Sequence, residues 1–106
     1  MDYKNAIESA KLEIELKTIL PEIDKILIKV ETYTSCISSL YDNERYKDDF
    51  IAEMQMKQAD LLRLINKLND IGMRAMAIND RSIVFQCEEK KLKVRDTMEF
   101  VRNLYM

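Results

Sequence analysis

The chain has 106 residues, a formal net charge of −2, one Gly, one Pro, two Cys and no His. So few turn formers exclude an all-β fold, which needs many reversals. Charged residues at 34% beside 47% hydrophobic ones suit helices with one wet and one dry face rather than disorder. The near balance of charge gives no global pull toward nucleic acid or acidic membranes.

The opening Met1-Asp2-Tyr3-Lys4-Asn5 leads into a charged helix rather than an apolar signal segment. From there Leu12, Leu16, Ile19, Ile23, Ile26, Val30, Tyr33, Ile37 and Leu40 recur at alternating spacings of four and three, a heptad a/d seam. The seam runs through Pro21, which removes one helical hydrogen bond, yet no turn residues surround it. The expectation is a kinked rod over about residues 3–41, or two collinear helices meeting at Pro21. Thr32 to Ser39 are weak helix formers, where the rod frays, bends or lets a neighbour approach closely. Thr32 to Tyr41 is also the longest uncharged run, too short and too polar to span a bilayer.

Asp42-Asn43-Glu44 is the first plausible reversal, with Asp42 or Asn43 as helix cap and Asp48 and Asp49 as rivals. A second helix over about 44–71 then places Phe50, Met54, Leu61, Leu64, Leu68 and Ile71 on one stripe, interrupted by a snorkelling Lys57. Gly72 is expected to end it in the left-handed conformation, with Met73 contacting Leu68 as in a Schellman motif. Met73 to Ile78 would be an apolar connector. Asn79 or Asp80 would cap a third helix over about 80–105, with Val84, Cys87, Val94, Met98, Val101 and Tyr105 on its stripe, Lys91 interrupting it, and Phe100 and Leu104 widening it. The fold class is therefore all-α: an elongated helical hairpin or three-helix bundle with coiled-coil-like packing, in one domain.

Charge is uneven along the chain. Residues 1–62 carry eight Lys/Arg against thirteen Asp/Glu, and residues 81–106 carry six against four. The basic run Lys90-Lys91-Leu92-Lys93-Val94-Arg95 puts Lys91 and Arg95 on one face, within reach of Arg102. Phosphates suit such a face, but Glu88, Glu89, Asp96 and Glu99 interleave with it, so a solvated helix face is the better reading. Nucleic acid is thus an unlikely partner, through Lys90, Lys91, Arg95 and Arg102 if at all.

A surplus apolar stripe on the first helix is the stronger functional signal. Ile7, Ile14 and Ile28 follow heptad spacing with Pro21 in the same series, opposite the seam, and Leu20 and Leu27 add apolar surface beside it. A hairpin that buries only the seam leaves these residues wet, so they call for a second packing partner: another helix of the chain, a second copy or a foreign protein. Isolated surface isoleucines are also ordinary. Met73 and Met76, beside Arg74 and Arg81, add an adaptable contact patch, or simply close the end of the core.

Catalysis has little to build on. Without His the commonest general base and a common metal ligand are missing. A single Gly rules out a Gly-rich phosphate loop. Cys87 lies on an apolar stripe as an inert core thiol, Cys36 has no evident activating neighbour, and Glu13/Lys17 and Glu53/Lys57 are ordinary helix ion pairs. No cofactor or metal is expected. The sequence points to a non-catalytic, cytoplasmic, self-associating helical protein that binds another protein through Ile7, Ile14, Leu20, Leu27, Ile28, Met73 and Met76, as a chaperone, an assembly subunit or an inhibitor. A regulator acting on nucleic acid or its machinery through the basic third helix is the alternative.

Overall fold

Three helices account for the described residues of the computed structural model, 2–38 and 44–105. They are α1 (Tyr3–Ser38), α2 (Glu44–Ala77) and α3 (Arg81–Tyr105), with no strand among these residues. They run up, down and up in a bundle 60 × 19 × 17 Å across. The radius of gyration of 17.1 Å exceeds the ~13 Å of a compact domain this long. Both α1 and α3 pack mainly on α2 and touch each other less.

α1 passes through Pro21 as one continuous helix, so the two-helix alternative does not hold. Pro21 lies on the exposed face, where water can take the Lys17 carbonyl that has lost its donor. The core-facing seam departs from the heptad. Leu12, Leu16, Ile19 and Ile23 are buried as expected, but the next buried positions are Leu27, Val30 and Thr34. Ile26 is half-buried and Tyr33 is exposed. The buried positions thus repeat every eleven residues, from Leu12 to Ile23 to Thr34. An eleven-residue repeat is ~3.67 residues per turn, slightly above the 3.6 of a straight helix and so of opposite hand to the ~3.5 of a heptad seam. Thr34 tolerates its buried place because its hydroxyl donates to the Val30 carbonyl at 2.8 Å. α1 stays helical through Ser38. The Ile37 side chain, Ser39, Leu40 and the reversal at Asp42-Asn43 lie outside what is described. Asp48 and Asp49 fall within α2 and cap nothing.

On α2, Phe50, Met54, Leu61, Leu64, Leu68 and Ile71 are all buried. Lys57 snorkels to Glu53 at 3.3 Å. The expected end at Gly72 is wrong. The helix continues for another turn and a half, Ala75 joins the core, and no glycine has a positive φ. The Schellman turn does form, on Asn79 instead. Asn79 has φ 58°, its amide donates to the Met76 carbonyl at 3.0 Å, and the Asp80 amide donates to the Ala75 carbonyl at 2.9 Å. Asp80 then caps α3, its Oδ1 accepting from the Ile83 amide at 3.3 Å. Its Oδ2 accepts the Ser9 hydroxyl of α1, so one carboxylate ties the turn to both flanking helices.

Gly72 faces α3, where an added Cβ would stand 3.8 Å from Cys87 Cβ, ordinary contact. Gly72→Ala is therefore expected to stabilise the protein by about 0.5–1 kcal/mol, because it removes glycine's excess backbone freedom from a helix interior. Thermal unfolding should rise by a few degrees. A lower midpoint would mean that the helix ends at Gly72 after all.

α3 buries Ile83, Cys87, Val94 and Val101, with Val84 and Met98 partly covered. Ile83 was not on the expected stripe, and Phe100 points outward instead of widening it. The Leu104 and Tyr105 side chains lie outside what is described. The core falls into two clusters. The larger joins Leu12 to Leu27, Leu61 to Ala75 and Ile83 to Val94, and the smaller joins Val30, Phe50, Met54 and Val101. Ile26 packs against both.

Candidate interaction surfaces

The folded chain leaves the expected outer row of α1 uncovered. Ile7, Ile14 and Ile28 are exposed, Ile14 at 68% and Ile28 at 61%. At 100° per residue they stand opposite Leu12, Leu16 and Ile23, with the exposed Tyr3 and Pro21 in line. Leu20 and Leu27 do not belong to this row. Leu27 is 2% exposed and Leu20 packs against the same core, because the eleven-residue seam turns position 27 inward. Met73 and Met76 are exposed, but on the last turns of α2 rather than on a connector.

The two flanks of α2 differ sharply. Toward α1, the positions Met56, Asp60, Arg63, Lys67, Asp70 and Arg74 step by four and three and are almost all charged. Lys67 and Asp70 line a hollow with Ile14, Glu15 and Thr18. Arg74 reaches Glu8 and Glu15 of α1 at 2.9 Å each, and Asp70 at 3.3 Å. The hydrogen bond that Arg74 donates to Glu8, ahead of the one to Asp70 and the charge of Glu15, holds the guanidinium above its usual pKa, against the opposing effect of burial. Toward α3, the ladder Ile51, Gln55, Gln58, Leu62, Ile65, Asn69, Met73, Met76 carries no charge at all. It spans ~38 Å of helix, and Leu62, Met73 and Met76 on it are 59%, 71% and 67% exposed. Sequence reasoning missed this flank. The signal that marks it is the absence of charge along one helical ladder in a chain that is 34% charged.

α3 forms the other wall of this groove. Val84, Phe85 and Glu88 line its turn end with Met76. Arg95, Glu99 and Arg102 line its middle with Gln58 and Leu62. The four basic residues singled out on α3 do not make one surface. Lys90 is drawn to Asp24 of α1 at 2.6 Å. Lys91 holds Glu88 at 2.6 Å and Asn69 at 2.8 Å. Arg95 stands 3.6 Å from Asp96. Arg102 borders the groove beside Met98 and Val101. Phe85 and Leu92 form a further exposed row, seven residues apart and opposite Cys87 and Val94.

The chemistry available is slight. Cys87 is fully buried, and desolvation pushes its thiol up, away from the thiolate that reacts as a nucleophile, while Lys91 pulls the other way. Cys36 is exposed, and no disulfide joins the two. Among the described residues no group of His, Cys, Asp or Glu is placed to hold a metal ion, and no helix is long and apolar enough to cross a membrane. The hollow between Phe50, Met54, Met98 and Val101 holds about 50 Å³, while the hollows beside Ile14 and beside Phe85 hold about 580 and 420 Å³. Compared with protein-family models, curated proteins and solved structures, the chain matches none.

Proposed function

We propose that this chain is a non-catalytic protein–protein interaction module of the cytoplasm, acting as an adaptor, chaperone or inhibitor by laying the outer face of α1 against a helix of another protein. The observation that carries the reading is the exposure of Ile14 and Ile28, 68% and 61%, on a face that none of the other described residues covers. Covering an isoleucine fully contributes about 1.5–3 kcal/mol, and an apolar helical row with charged flanks suits helix-in-groove recognition. The alternative, a regulator acting on nucleic acid through α3, has less support. Lys90, Lys91 and Arg95 each already face a carboxylate, which lowers the counterion release that drives phosphate binding.

Ile14→Glu with Ile28→Glu tests the reading. The double variant should keep its helical circular dichroism, since both positions are exposed, and should bind the partner recovered from source cells about a hundredfold more weakly by calorimetry. Wild-type affinity in the double variant would remove α1 from the interface.

A further inference from the structure

We infer that the uncharged flank of α2 and the adjoining wall of α3 form a docking face for a second copy of this chain, giving an antiparallel two-fold dimer. This rests on the interaction-module reading above but uses a different surface. A face meant for water would carry charge on both flanks of α2, as the flank toward α1 does. Burying a strip without charges avoids their desolvation cost.

The order of residues matches a two-fold axis. With the axis crossing α2 near Leu64, Leu62 faces the partner's Ile65, Gln58 the partner's Asn69, Gln55 the partner's Met73 and Ile51 the partner's Met76. Two apolar pairs and one amide pair result, with one mixed pair. The contacts of Gly72 with Cys87 and of Asn69 with Lys91 set Arg95 of α3 level with this same point on α2. About Arg95 the charges of α3 are complementary: Glu88 and Lys91, paired with each other at 2.6 Å within one chain, stand level with the partner's Arg102 and the partner's Glu99 in turn. The two helices thus share one centre of symmetry, as an isologous interface requires. Arg95 itself stands on the axis against its own copy, with Asp96 3.6 Å away to offset the repulsion. A groove ~38 Å long between helices 8–10 Å apart covers on the order of 600 Å² per copy, within reach of the roughly 1,000 Å² in total that a specific interface needs.

Sedimentation equilibrium on the full chain tests this. Wild type should run at twice the 12.6 kDa chain mass, and Leu62→Glu with Met73→Glu should run as a monomer of unchanged helicity. Arg102→Glu and Glu88→Arg should each weaken the dimer about tenfold, and combining them should restore it. Ile14→Glu with Ile28→Glu should remain dimeric, which separates this face from the one on α1. A monomeric wild type at 100-micromolar order, or a dimer that survives Leu62→Glu with Met73→Glu, would overturn the inference and leave partner binding by α1 standing. A dimer lost only in the α1 variant would overturn it as well, by moving self-association to α1.

Discussion

Leu27→Ala is expected to cost 2–5 kcal/mol in urea unfolding, the usual range for a buried leucine cut to alanine, whereas Ile26→Ala should cost less than half as much. Leu27 is 2% exposed within the larger core cluster, and Ile26 is only half-buried, between the two clusters. The heptad spacing alone gives the opposite order, because it places Ile26 on the seam and Leu27 beside it. The pair of substitutions therefore measures which repeat the folded helix follows. A larger loss for Ile26→Ala would return the seam to the heptad and Leu27 to the outer surface.

Arg74→Glu should be the most damaging charge change on the surface. Arg74 pairs with Glu8, Glu15 and Asp70 at once, and its reversal leaves four carboxylates together at the end where α1 begins and α2 finishes. Arg74 is about one-third exposed, so each lost pair is discounted for solvent and contributes well under 1 kcal/mol. Three lost pairs plus new repulsion give about 2 kcal/mol in dilute buffer. Repulsion between exposed groups is screened by salt, so 1 M NaCl should recover half or more of the loss. A loss indifferent to salt would mean that the Arg74 stem, not its charge, holds α1 to α2.

Helix number, helix faces and the absence of strands were legible in the sequence, because a stripe such as Phe50, Met54, Leu61, Leu64, Leu68 and Ile71 has only one periodicity. The end of α2 was not. Gly72 is able to adopt the left-handed conformation but is not compelled to, and where it sits against Cys87 there is room for a side-chain methyl. What stops the helix is Asn79, a residue that tolerates positive φ, followed by an aspartate that caps α3 and takes the Ser9 hydroxyl. That last contact joins residues far apart in the chain and leaves no local trace. The candidate site was legible in part. Ile7, Ile14 and Ile28 are exposed as the heptad spacing suggests, and Met73 and Met76 are exposed on α2 rather than on a connector. Leu20 and Leu27 fall outward in heptad numbering, but the buried positions of α1 repeat every eleven residues. The ladder through Leu62 leaves no apolar periodicity in the sequence, and only its lack of charge marks it.

The mismatch between the two repeats on α1 has a geometric consequence. Its inner side advances by elevens and drifts in the right-handed sense, while Ile7, Ile14, Pro21 and Ile28 advance by sevens. Each seven-residue step falls ~20° short of whole turns, so the outer row swings about 60° around α1 from Ile7 to Ile28. A ligand helix tracking that row must wind around α1 with a left-handed pitch, opposite in hand to the drift of the inner side. A rigid, straight binder would engage either Ile7 with Ile14 or Pro21 with Ile28, but not the whole row.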